Sequence, residues 1–393
     1  MNGDCPHVRC ASTPCSIKHN VKARIVHGTD GLDALAADWT RLEQDAALPM
    51  QQVIWSRACV STFLPHVDLR ILVLEDGNKI VAIAPLACCK GGVRLEMLGV
   101  STLFEPMDVV YADRDVLPAL AHAMVDLRAP LLLRRVPADS PLTGALANAY
   151  RGRGTLLSRP DGPWPWITLD AGWAEPESKF NSKRRAYLRR ARRIADQLGT
   201  VSHEILAPTP AMLPPLLEEA LAVEAASWKG KTGTALALDP VIGTFYRRYA
   251  AAACEQGTLR LCFLRIDGRA AAMQMAIETG NRLWLMKIGY DEQFASCSPG
   301  NLLIRETIRH AALSGLKSIA FLGAVEPWKE QWTHEQNPCV VLRGYPSGFR
   351  GTVSLAGDIV KAGCAKLYHR KSTPAPPPSV PAQPAHEPQS ATS

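Results

Sequence analysis

Ser298, Pro299 and Gly300 lie between two runs of different period. Arg282–Gly289 is strand-like, and Leu302, Leu303, Ile304, Ile308, Ala311 and Ala312 recur near helical spacing before Gly315. Ser298 suits a helix N-cap, Pro299 suits the first helical position, and Gly300 has no side chain to keep another group off the backbone. A helix N-terminus behind such a turn presents free N–H groups and the positive end of the helix dipole, which is a site for phosphate oxygens. The same residues also describe an ordinary helix start. No GxGxxG or Walker pattern is present to decide between these readings.

Glu326 follows the apolar run 317–323 directly. A carboxylate at a strand end can take a proton from an attacking amine; it can equally cap a turn or pair with Lys329. Lys329, Trp332 and His334 follow closely and are expected on the same rim. Tyr290 ends the other strand-like run and is placed to donate a proton to a leaving group, with Asp291 and Glu292 beside it. Trp228 and Lys229 open "WKGKTG", which reads either as an exposed helix end or as a loop in which Lys229 meets an anion and Trp228 walls a pocket. "SKRRAYLRRARR" (182–193) places Lys183, Arg184, Arg185, Arg189, Arg190, Arg192 and Arg193 within three turns, above a stripe of Leu188, Ala191, Ile194, Ala195 and Leu198. That helix docks by its apolar stripe and turns cations outward. A solvated face, an anionic substrate, a cofactor phosphate and nucleic acid all remain open for it.

The chain has 393 residues, 47% of them hydrophobic, ample for a buried core. Its formal net charge of +7 points toward acidic partners. The 11 cysteines, several in apolar segments, read as thiols rather than a disulfide framework. Cys5, Cys10 and Cys15 match no zinc spacing, so no metal is expected. No apolar run is long enough to span a membrane and the first residues lack the apolar core of a leader, so a cytoplasmic protein is expected. No GxSxG elbow occurs, and no cysteine sits in a motif with a histidine, which disfavours a covalent nucleophile, Cys297 included.

One plan occurs twice. Helical sequence leads to an Asp-Gly hairpin, around Asp76-Gly77 and again around Asp267-Gly268. Each hairpin is followed by a strand, a helix and a strand. This predicts an α/β protein with mixed sheets, built as an N-terminal unit over 21–160, a C-terminal unit over 161–350 and an extension over 351–371. Residues 1–20 and the Pro-rich tail 372–393 are expected to be disordered.

"EAASWKGKTGTAL" (224–236), "FYRRYAAAACEQGTLRLCFLRIDGRAAA" (245–272), "YDEQFASCSPGNLL" (290–303) and "FLGAVEPWKEQW" (321–332) resemble, in this order, the motifs of the CelD-like branch of the GNAT acetyltransferase superfamily. That branch is linked to cellulose or exopolysaccharide production and is related to FemAB-type transferases. The resemblance is densest over 160–350. It implies two tandem GNAT-like units, the first degenerate, and direct acyl transfer from acetyl-CoA to an amine or hydroxyl. It places the pyrophosphate on Ser298, Pro299, Gly300, Asn301 and Leu302, beside Ile288 and Gly289. Glu326 would be the base and Tyr290 the acid. Trp228, Lys229, Arg185, Arg189, Lys329 and Trp332 would meet an acceptor, a saccharide or peptide of acidic character. The FemAB relationship implies an alternative in which aminoacyl-tRNA is the donor. Val325 stands where the family has an acidic residue, and Trp328 where it has tyrosine; a fold that has lost its chemistry is the remaining reading.

Overall fold

A computed structural model describes residues 21–227, 233, 235–323 and 325–371. Trp228 and Lys229, and both terminal segments expected to be disordered, lie outside the described residues.

Thirteen strands among the described residues join in one mixed sheet: β1 (Val21–Val26), β2 (Val67–Asp76), β3 (Lys79–Cys89), β4 (Leu95–Met97), β5 (Val110–Tyr111), β6 (Leu131–Pro137), β7 (Gly154–Thr168), β8 (Val201–Leu206), β9 (Leu259–Ile266), β10 (Arg269–Thr279), β11 (Arg282–Tyr290), β12 (Ser318–Phe321) and β13 (Gln336–Pro346). Both Asp-Gly hairpins form, β2–β3 and β9–β10. In the second, Asp267 and Gly268 have φ of 48° and 80°, the paired positive values that a tight turn between right-twisted strands requires.

The strand order is β1-β2-β3-β4-β6-β13-β7-β12-β11-β10-β9-β8, with β5 beside β3. It reads as the same plan from either edge. An edge strand precedes a hairpin, and a parallel pair follows: β4 with β6 in the first half, β11 with β12 in the second. The halves then exchange strands. β13, from the C-terminal end, pairs antiparallel with β6, while β7 pairs antiparallel with β12 through Trp166–Thr168. β13 and β7 pair with each other along nearly their whole length. The expected boundary between the units, at residues 160 and 161, thus falls inside β7.

Helices repeat the pairing. Trp55 and Phe63, on the helix Val53–Phe63, pack on Phe245 and Tyr249 of the helix Pro240–Glu255, with Trp55 edge-on to Phe245 at 4.8 Å between centroids. One apolar core therefore runs through both halves. The stretch 31–47 is two short helices and a 3₁₀ turn rather than one helix. The strand that follows the first hairpin is short, Leu95–Met97, because Gly99 at φ 81° turns the chain into the short helix Val100–Leu103. Among the described residues no helix is long and apolar enough to cross a membrane.

Candidate active site

The parallel pair β11–β12 is short. Register runs from Arg282/Ser318 to Leu285/Phe321 and stops there, although β11 continues to Tyr290 along β10. A bulge between Met275 and Ala276 of β10 leaves Met286 of β11 without an opposite partner, at the residue after the parallel register ends. Bulges bend a strand and increase its twist. Here the bend opens a wedge between β11 and the residues after β12. A cavity of about 600 Å³ fills it, lined by Met286, Lys287, Ile288, Gly289 and Tyr290 on one side and Leu322, Gly323, Glu326, Trp328 and Lys329 on the other.

The N-terminus of the helix Pro299–Leu313 closes one end of the cavity, with Ser298, Gly300, Asn301 and Ile304 on its wall. Ser298 occupies the N-cap position, but at φ 48° its side chain does not cap the helix. Instead its hydroxyl accepts a hydrogen bond from Tyr187 Oη at 2.7 Å. Asn301 donates to the same Tyr187 oxygen, and Arg184 donates to Asn301 Oδ1 at 2.9 Å and to Gln331. Gly300 is open: a Cβ there would meet only Tyr290 Cδ1, at 3.7 Å. The protein's own packing therefore does not require glycine at 300. Gly289 is different, since a Cβ would lie 2.7 Å from Glu224 Cα on the neighbouring helix. Leu302 is buried in the core beneath the turn and does not line the cavity. Pro299 is buried as well.

The basic helix Ser182–Leu198 lies across this turn. Arg184 is built into the structure, its guanidinium 4.8 Å from the Trp332 ring and 4.9 Å from the Tyr187 ring. Arg185 donates to Phe180 O. Neither Arg185 nor Arg189 lines the cavity, and Arg189 is exposed with Lys183, Arg190 and Arg193. Trp332 is buried against Phe180 and also stays out of the cavity.

Glu326 does reach the rim. Its side chain is 45% exposed, accepts from Trp328 Nε1 at 3.1 Å and pairs with Lys329 Nζ at 3.3 Å. Of the two ordinary readings of Glu326, the pairing with Lys329 is found; it sits at the N-cap position of the short helix Pro327–Glu330, but its side chain does not cap that helix. Lys329 is 4% exposed and donates to Leu322 O at 2.8 Å. Burial pushes its pKa below the ordinary lysine value, partly offset by Glu326 and Glu105. Cys297 is buried and its thiol is pushed up by that burial, the opposite of an activated nucleophile.

Several lining residues escaped the sequence reading, Glu105 and Gln274 among them. Glu105 comes from the other half of the chain and reaches the cavity beside Gly323. It is 3% exposed. Its carboxylate accepts from Gly323 N at 3.4 Å and lies 4.0 Å from Arg135 Nη1. Burial raises its pKa above the ordinary carboxylate value, against the pull of Lys287, Arg135 and Lys329. Nothing in the surrounding "LFEPMD" marks it, because the partners that bring it to the cavity lie far along the chain. Gln274, 1% exposed, also lines the cavity; its Oε1 accepts from Thr307, while its Nε2 is buried without a hydrogen-bond partner among the described residues. A buried orphan amide at a cavity wall suits a ligand with acceptor atoms. Among the described residues no cluster of histidine, cysteine or carboxylate side chains could hold a metal.

Comparisons with known proteins agree with this geometry at the level of fold. The structure resembles FemX (10% identity, TM-score 0.53, covering 85% of this chain and 99% of that one). It also resembles the C-terminal domain (DUF2156) of a putative lysylphosphatidylglycerol synthetase from Agrobacterium fabrum (12%, 0.51, covering 84% and 96%). A third likeness is to a conserved protein of unknown function from Bacteroides thetaiotaomicron (13%, 0.50, covering 82% and 99%). No curated protein matches the chain by sequence. Residues 182–330 match the sequence profile of the family described as "Acetyltransferase (GNAT) domain". That segment holds the basic helix, the splayed pair β11–β12 and the turn at Ser298, so the match to a GNAT acetyltransferase domain falls on most of the cavity wall, within a mixed α/β fold whose two halves follow one plan.

Proposed function

We propose that the chain is an acyltransferase that moves an acyl group from acyl-CoA, acetyl-CoA first among them, to an amine or hydroxyl by direct attack on the thioester. The observation that carries this reading is the wedge between β11 and β12, with an open helix N-terminus at one end and buried ionisable groups at the other. The residues fit the donor. The Gly300 N–H and the positive end of the helix Pro299–Leu313, with no side chain at Gly300, suit the pyrophosphate, while the N–H groups of Asn301 and Leu302 donate to Ser298 O. The Gln274 amide supplies a donor inside the cavity. Tyr290 stands between the turn and the splay, where a leaving thiolate takes up a proton. Glu326 at the rim keeps Lys329 paired. A role in exopolysaccharide or cell-envelope metabolism, with an acidic acceptor, stays part of this proposal through the motif order of 224–332.

Titration of the full chain with acetyl-CoA by calorimetry tests the reading, with micromolar binding expected. Absence of binding would overturn it. A second reading rests on the exposed cations Lys183, Arg189, Arg190 and Arg193 beside the turn: the donor is an aminoacyl-tRNA. It requires tRNA binding that weakens steeply with salt, by about one power of salt concentration per phosphate contacted.

A further inference from the structure

The reaction needs an acceptor for the proton of the attacking group, and the cavity offers two carboxylates, Glu326 and Glu105. Their surroundings differ. Glu326 is half in solvent and already engaged by Trp328 and Lys329. Glu105 is enclosed, and its described polar contacts are long, 3.4 Å to Gly323 N and 4.0 Å to Arg135. It has therefore kept capacity to accept a short hydrogen bond from a ligand in the cavity. Gly323 is two residues past the end of β12, so Glu105 stands where the two strands have just parted.

The backbone is arranged around it at a cost. Phe104, next to Glu105, has φ 54°, and Arg135 has φ 50°, both left-handed for residues with bulky side chains. Such conformations are strained and persist where the surroundings hold them. Arg135 does the holding. It is fully buried, stacks on the Phe104 ring at 4.7 Å, donates to Phe104 O, and reaches across to Gly323 O at 3.2 Å and Pro163 O at 3.5 Å. One guanidinium thus ties the loop bearing Glu105 to the end of β12.

We propose that Glu105, from the first unit, is the proton acceptor for the attacking amine or hydroxyl, and that the acceptor substrate enters the wedge from the side of Lys287, Gly323 and Lys329. The proposal rests on the acyl-transfer reading above. In the step, the nucleophile's lone pair forms a bond to the thioester carbonyl carbon and its N–H or O–H proton passes to the Glu105 carboxylate. The C–S bond then breaks, and the thiolate leaves with the electron pair and takes up a proton at the Tyr290 end. The titratable and charged groups around Glu105 are Lys287 on β11, Arg135 on β6, Lys329 with the Gly323 amide after β12, and Tyr246 and Tyr249 on the helix Pro240–Glu255. On this account the first unit supplies the proton acceptor to a cavity lined otherwise by the second.

The test uses the full chain, acetyl-CoA, and a panel of small amines with water alone as the reference, following thiol release against pH. Glu105→Gln is expected to bind acetyl-CoA with unchanged affinity, to lose about 10²–10⁴-fold in kcat, and to lose the acid limb of the pH profile. Glu105→Asp should restore part of the rate, and it answers the question if the glutamine variant fails to fold. Equal rates in wild type and both variants, including no release in any of them, would overturn the assignment. So would a loss seen in Glu326→Gln and absent from Glu105→Gln. Failure of wild type to bind acetyl-CoA would instead sink the acyl-CoA reading beneath it.

Discussion

Gly300 is the residue on which the donor site turns. Since a Cβ there makes only an ordinary contact with Tyr290, the space above the backbone is not filled by the protein. Gly300→Asp places a carboxylate at the helix N-terminus, where it stabilises the helix by ~0.5 kcal/mol and repels a phosphate. The variant should fold with an unchanged melting temperature and show no acetyl-CoA binding in calorimetry; unchanged affinity would remove the turn from the site. Asp108 offers a test that is independent of function. Burial raises its pKa from 3.8 to about 6, against hydrogen bonds from Ser140 and Val109 N–H. The folded state therefore holds a proton that the unfolded state has lost, and stability falls as pH rises from about 4 to about 6, by at most about 3 kcal/mol. Asp108→Asn keeps the acceptor for Val109 and removes the titration. Melting temperatures at pH 5 and 7.5 should differ less in the variant than in wild type; equal differences would refute the buried-acid account.

At the scale of elements, the wedge depends on how closely the helix Leu213–Ala225 approaches β11. Gly289 permits that approach, with the Glu224 backbone where a Cβ would stand. Gly289→Ala forces helix and strand apart, at a cost of about 1–3 kcal/mol. Chemical denaturation should report that loss, and acetyl-CoA affinity should fall with it because Gly289 lines the cavity. A stable variant with native affinity would show that helix and strand can slide without penalty. The Tyr187–Ser298–Asn301–Arg184 network has the complementary effect, fixing the basic helix over the turn.

At the scale of the molecule, the exchange of β7 and β13 joins the two units. β13 comes last in the chain and fills the centre of the sheet, between β6 and β7. A chain ending at residue 335 leaves both neighbours with unpaired edges and removes Cys339, Leu342 and Tyr345, all buried, from the packing of the sheet. It should be insoluble or lack a cooperative melt, whereas a chain ending at 371 should melt as the full chain does. Trp55 packed on Phe245 and Tyr249 predicts a single transition for both units in that melt. A folded, soluble 1–335 fragment would show the second unit to be independent of the strand exchange.

Local signals gave away what local physics controls. Asp-Gly between apolar runs fixes a tight turn, and both hairpins are where that pattern places them. Proline at the first helical position fixes a helix start at Pro299. The alternation and stripe patterns fix which faces are buried, so the α/β class and the doubled plan were legible along the chain. The sequence could not show that Ser298 would bond to Tyr187 rather than cap its helix, that Arg184 would be spent on packing, or that Trp332 would be buried. It could not place Glu105 at the splay either, since Arg135, Pro163 and Gly323, which hold its loop there, are 30 to 218 residues away in sequence. Turns and helix starts are decided by dihedral preferences of adjacent residues. The position of a buried carboxylate is decided by the low-dielectric surroundings and distant hydrogen bonds that only the folded chain assembles.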